Sequence, residues 1–161
     1  MSIIRSDEEI LNLIKCDKAI CKKPPAPKES NRDTKRKFMV VSTEKSLELD
    51  VFFAQNIRLP NDFSIGLMFE NFLLFRCNGF HGTTVAGYHK YDHHAQVHSH
   101  TLTFDDIMNG RKNHPSKIEV LTGKYVDFES AQLFFLQTCG INNYQDYFDF
   151  SKLDQMSIYD L

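Results

Sequence analysis

From Lys37 the pattern turns strand-like, and the alternation over 47–53 confines that stretch to a strand. Leu47, Leu49, Val51 and Phe53 alternate with Glu48, Asp50 and Phe52, the pattern of a strand buried on one face. Lys37 to Ser42 is rich in β-formers, and Phe63–Phe69 and Phe72–Arg76 read as two more strands joined through Glu70-Asn71. Leu59-Pro60-Asn61-Asp62 and Asn78-Gly79 are turns, and Ala95 to Phe104 is the next strand. Strands in succession with short links can pair only as antiparallel neighbours, so a meander of about five strands is expected. Ile118, Val120 and Leu121 offer a short further strand.

Helical signals flank this block. Ser6 with Glu9 three residues on is a capping box, and Ile10, Leu11, Leu13, Ile14 and Ile20 recur at helical spacing, predicting a helix over 7–20. Lys22-Lys23-Pro24-Pro25-Ala26-Pro27-Lys28 breaks it, and 21–34 reads as an exposed basic linker. Asp127 caps a helix through about Thr138, which Gly140 ends. The tail over 142–161 is aromatic and acidic. It fits a short amphipathic segment packed on the domain, or a docking surface. The fold class is therefore α+β in one domain over 1–161, with 35–141 forming the sheet and late helix, and both helices covering the sheet.

Composition adds exclusions. No apolar run approaches the roughly 20 residues that cross a bilayer, and the N-terminus lacks the features of a signal peptide, so a cytoplasmic protein with no membrane partner is expected. Cys16, Cys21, Cys77 and Cys139 lack Cys-x-x-Cys spacing, which argues against a disulfide framework and a cysteine-rich zinc site. Seven basic residues between Lys22 and Lys37 face only Glu29 and Asp33, a segment able to attract phosphates or simply to remain solvated.

Reactive groups concentrate in one place. His81, His89, His93, His94, His98 and His100 are six of the seven histidines. On a strand, His98 and His100 point to one face, roughly 7 Å apart. If the strand ending in Arg76 pairs beside them, an arginine meets a histidine pair. That set suits phosphodiester chemistry, with one imidazole taking the 2′-hydroxyl proton, the other protonating the leaving oxygen, and the guanidinium neutralising the phosphorane. A metal held by His98, His100 and another histidine is a competing reading, as is a merely structural cluster. No metal and no cofactor is expected.

The stretches Leu74-Phe75-Arg76-Cys77-Asn78-Gly79-Phe80-His81 and Val97-His98-Ser99-His100 resemble small bacterial toxins of the TumE type and related families. These show a strand ending in Arg-x-Asp, a glycine-containing loop with a histidine, His-x-His on the next strand, and a late helix. The resemblance spans residues 6–141 loosely. It implies a toxin of a toxin–antitoxin pair, with RNA as substrate and an antitoxin as partner. Asn78 stands where the pattern has an acid, and an amide cannot act as a base. The expected site is catalytic Arg76, His98 and His100, with Asn78, His81, His93, Lys35, Arg36 and Lys37 binding substrate. The alternative is a non-enzymatic interaction protein, such as a phage- or mobile-element-encoded inhibitor of a protein partner.

Overall fold

The computed structural model describes residues 4–80 and 95–153. Within them the chain is α+β, and its sheet has eight strands rather than about five. In chain order these are α1 (Asp7–Lys15), β1 (Lys18–Ile20), β2 (Lys28–Glu29), β3 (Asp33–Ser42), β4 (Glu48–Asn56), β5 (Phe63–Phe69), β6 (Phe72–Asn78), β7 (His98–Thr101), α2 (Phe104–Met108), β8 (Lys117–Val120) and α3 (Phe128–Thr138), followed by a 3-10 turn at Tyr144–Asp146. From β3 to β8 each strand pairs antiparallel with the next. β1 and β2 both lie on the remaining edge of β3, at Val40–Ser42 and at Thr34–Lys35.

Three expectations on extent are corrected. The helix expected over 7–20 stops at Lys15, because Cys16 turns extended and Lys18–Ile20 joins the sheet. Ile20 fits either period, so the pattern alone could not divide the two. The strand expected over 95–104 is only His98–Thr101. Thr103 and Asp106 form a capping box that starts α2, a signal visible in the sequence but overridden by the apolar run around it. The strand count was low because β1 and β2 are too short to show a period, and β2 lies inside the proline-rich segment. Lys28–Glu29 pairs with β3, and the Arg36 Nε donates to the Pro25 carbonyl at 2.8 Å, so this segment is laid along the sheet edge.

The core lies between one face of the sheet and the helices α1 and α3. Phe38, Val40, Leu49, Val51, Phe53, Phe63, Ile65, Leu67, Phe75 and Cys77 meet Ile10, Leu13 and Ile14 of α1 and Ala131, Phe135 and Leu136 of α3. The Phe135 ring stacks on Phe75 at 6.0 Å and meets Phe53 edge-on at 6.5 Å. Burying a ring of that size stabilises by about 1.5–3 kcal/mol. The described part of the tail packs here too. Phe148 sits 5.6 Å from Phe38 and 5.8 Å from Phe53, and the Arg36 guanidinium lies over its ring at 4.9 Å.

One buried lysine ties the two helix ends together. Lys18 is 1 % exposed, and its ammonium donates to the carbonyls of Ile14, Cys16 and Cys139, each at 2.8 Å. These oxygens belong to the C-terminal ends of α1 and α3, where helix carbonyls lack partners and the dipole is negative. The Lys18 amide donates to the Gly140 carbonyl at 2.8 Å, which draws the chain leaving α3 against the chain leaving α1. Gly140 has φ +67°, and a Cβ there would stand 2.6 Å from the Cys16 carbonyl oxygen. Gly140→Ala is expected to destabilise the fold by about 1–3 kcal/mol through strain and crowding. A urea midpoint equal to that of the parent would show that this junction yields without cost.

Candidate functional site

Strand parity defines a second face. Phe75 and Cys77 turn toward the helices, so Arg76 and Asn78 turn away from them. β6 and β7 are registered with Arg76 opposite His100 and Asn78 opposite His98. The four side chains thus form a two-by-two block on the outer face. The His98 and His100 ring centroids lie 5.0 Å apart at 70°. His98 is wholly buried and His100 is 8 % exposed.

Each imidazole is oriented by a backbone carbonyl. His98 Nδ1 lies 2.7 Å from the Gln96 oxygen, and His100 Nδ1 lies 3.1 Å from the Pro115 oxygen. A carbonyl only accepts, so each Nδ1 carries a proton, and Nε2 is the nitrogen at which a further proton can be gained or lost. Tyr125 closes the strand ends, its hydroxyl 2.8 Å from the Asn78 carbonyl and 3.1 Å from the His98 carbonyl. Burial pushes the Tyr125 pKa well up, which keeps this donor protonated.

Arg76 is partly buried. Its Nε donates to the Asn78 Oδ1 at 3.0 Å, and among the described residues no carboxylate lies within ion-pair distance of it. Desolvation by burial pulls its pKa down from the ordinary arginine value. Asn78 therefore acts here through its amide oxygen, holding the guanidinium without neutralising it.

The basic residues divide between the faces. Register places Lys37, Phe52, Gly66, Arg76, His100 and Ile118 in one row across the outer face, with Lys35 in the row of Asn78 and His98. Lys35 and Lys37 stand on the far side of that face, four strands or about 19 Å from β7. Arg36 belongs to the opposite face, where it covers Phe148. The expected positions His81 and His93 lie outside the described residues. Among the described residues no group of three or more His, Cys, Asp or Glu side chains stands close enough to hold a metal ion. All four cysteines have free thiols.

A buried carboxylate supports the block through a neighbouring loop. Asp106 is 0 % exposed and accepts from the Thr103 amide at 3.0 Å, from the Ser116 amide and hydroxyl at 3.0 Å each, and from Arg111 Nη2 at 3.1 Å. It thereby pins residues 111–116, the loop whose Pro115 carbonyl orients His100. Nothing in the sequence signalled this role beyond the Thr103-x-x-Asp106 spacing, and nothing signalled Tyr125. Burial by itself raises the Asp106 pKa, but the hydrogen bonds from Ser116 and Thr103 outweigh it and hold the carboxyl below its ordinary value. A lowered native pKa contributes stability that is present above the unfolded value of about 3.9 and is lost as pH falls through the native value. Asp106→Asn is expected to cost about 2–3 kcal/mol at neutral pH, since charged hydrogen bonds are lost inside the protein. It is also expected to shrink the stability loss below about pH 4. Parallel acid-unfolding curves for the variant and the parent would contradict this.

No protein-family model, curated protein or solved structure matches this chain. No helix among the described residues is long and apolar enough to cross a membrane.

Proposed function

We propose that the protein is a metal-independent endoribonuclease of the toxin type, acting through Arg76, His98 and His100. The observation that carries this reading is Arg76, a partly buried cation held by an amide oxygen and registered against His100. A desolvated charge in a protein is ordinarily matched by an opposite charge. Among the described residues none supplies that charge, and in this reading the matching anion is the scissile phosphate, which a guanidinium binds through two parallel hydrogen bonds.

The chemistry then follows from the two imidazoles. One Nε2 takes the proton of the substrate's 2′-hydroxyl, whose oxygen attacks phosphorus. The phosphorus–O5′ bond breaks, and the second imidazole, entering protonated, supplies a proton to the leaving 5′-oxygen. The products are a 2′,3′-cyclic phosphate and a 5′-hydroxyl. Because the nucleophile belongs to the substrate, the step requires no metal. Arg76 offsets the charge that builds on the phosphorane. Lys35 and Lys37 engage flanking phosphates, and Phe52, half-buried in the row between Lys37 and Arg76, offers a ring to a neighbouring base. The toxin reading brings with it an antitoxin protein that masks the activity.

The decisive experiment uses inhibitor-free protein and a short oligoribonucleotide. Cleavage that persists in EDTA, yields a cyclic phosphate and stops when the ribose at the cut carries 2′-deoxy supports the reading. No cleavage, or equal cleavage of the deoxy substrate, overturns it. A second reading, a non-enzymatic protein that binds a protein partner, is favoured by the complete burial of His98 and by the backbone hydrogen bonds of both rings, which suit structural histidines.

A further inference from the structure

We propose that the open edge of β8 pairs with β8 of a second copy of this chain, making a two-fold dimer with a continuous sheet. The inference is independent of the proposed chemistry.

Among the described residues β8 is the last strand of the sheet, and all four of its residues are exposed, Ile118 at 43 % and Val120 at 47 %. Exposed edges invite pairing, and proteins usually blunt them with proline, bulges or covering segments. Lys117-Ile118-Glu119-Val120 contains none of the first two, and among the described residues no strand pairs with its outer edge.

Hydrogen-bond parity decides which backbone groups face outward. The Leu121 amide donates to the Val97 carbonyl at 2.8 Å, so Val97 and Leu121 form a hydrogen-bonded pair. By alternation Ser99–Glu119 and Thr101–Lys117 are also hydrogen-bonded pairs, and the amides and carbonyls of Lys117 and Glu119 point to β7. The Leu102 amide on the Leu74 carbonyl gives the same parity from the other side of β7. The backbone groups of Ile118 and Val120 therefore point away from the sheet.

Charge then selects the partner and the register. An antiparallel copy with its two-fold axis at Ile118 sets Ile118 opposite Ile118 as a hydrogen-bonded pair, which uses the outward amide and carbonyl of each. Lys117 then lies opposite the second copy's Glu119, and Glu119 opposite the second copy's Lys117. Both fall in non-hydrogen-bonded pairs, where side chains approach most closely. A two-fold axis at Glu119 would set Glu119 opposite its own copy, a repulsive pair, and one at Val120 would set Glu119 opposite Leu121 and leave both charges unmatched. The strand is thus complementary to itself in one register, and the contact closes as a dimer. Four residues make a small interface, so the dimer is weak and concentration-dependent. It brings the outer-face blocks of both copies onto one surface, about 14 Å from β7 to β7 across three strand spacings.

The test is sedimentation equilibrium of the full chain over a wide concentration range, with folding checked by circular dichroism. The parent is expected to rise toward twice the chain mass. K117E places carboxylates opposite each other at both ends and is expected to weaken the dimer by about tenfold or more. K117E/E119K restores both pairs with reversed sign and is expected to recover parental affinity. Ile118→Pro removes an outward amide that the β7 ladder does not use, and is expected to abolish association. A parent that stays at one chain mass overturns the proposal. So does a dimer that K117E and Ile118→Pro leave equally tight, since the copies would then meet elsewhere.

Discussion

Lys18→Met should lower the stability of the fold by about 3–5 kcal/mol, the summed cost of taking a charged donor from three buried carbonyls. The methionine fills similar space but leaves the carbonyls of Ile14, Cys16 and Cys139 without the donor that satisfies all three. Both helix ends lose their cap at once, so the loss should appear in the urea midpoint rather than in local fraying. The pH dependence separates the charge from the packing. Burial lowers the Lys18 pKa. The unfolded chain therefore holds this proton more tightly, and the Lys18 contribution grows as pH rises from the lowered native value to about 10.4. Cys77, Cys139 and Tyr125 work in the opposite sense, their pKa values raised by burial, that of Cys139 to about 12. Their contributions are intact below the unfolded values, about 8.5 for the thiols and 10 for the phenol, and are lost above them. Both proteins should weaken in alkali, and the gap between parent and Lys18→Met should widen. A variant with an unchanged midpoint would show that the three carbonyls find other donors.

The sheet was legible where burial is one-sided and the strand is long enough to show its period. Leu49, Val51 and Phe53 alternate over a full strand, and Glu70-Asn71 marks the turn between Phe69 and Phe72. β1 was illegible because three residues show no period, and because Ile20 continued the helical spacing of α1. The end of α1 depends on Lys18, whose partners include Cys139, 121 positions away along the chain. No local pattern encodes that distance. Thr103-x-x-Asp106 was readable, yet the apolar residues around it favoured a longer strand.

The candidate site divides in the same way. That Arg76, Asn78, His98 and His100 share a face follows from alternation on two neighbouring strands. That Arg36 departs from Lys35 and Lys37 follows from the same alternation, which a cluster of like charges obscures when read as a unit. What could not be read is the second layer. The Gln96 and Pro115 carbonyls, the Tyr125 hydroxyl and the Asp106 carboxylate act through tertiary contacts, and none belongs to a motif. Gly66 is a related case. A Cβ there would lie 2.3 Å from the Phe52 ring, so the glycine makes room for an aromatic side chain beside Arg76.

His98→Ala or His100→Ala should each lower RNA cleavage by roughly 10²–10⁴-fold, the usual contribution of a general acid or base. Each ring is oriented through Nδ1, so the substitution removes the Nε2 that would exchange the proton. Arg76→Ala should be comparably damaging, because the phosphorane would lose its charge partner in a desolvated setting. Arg76→Lys keeps the charge but loses the two-pronged geometry, and should recover only part of the rate. Asn78→Asp supplies a carboxylate to the same guanidinium that now meets an amide oxygen. That internal ion pair should compete with the phosphate and raise KM more than it lowers kcat. The parent's rate should be bell-shaped in pH, since one imidazole must be neutral while the other is charged, and either histidine variant should lose one limb. His114→Ala is the control, because His114 is exposed and lies in the loop before Pro115. His98 is fully buried, so each variant must match the parent in circular dichroism and urea midpoint before its rate is compared. Folded histidine and Arg76 variants that cleave RNA as fast as the parent would remove this site from the chemistry and leave the protein-binding reading in its place.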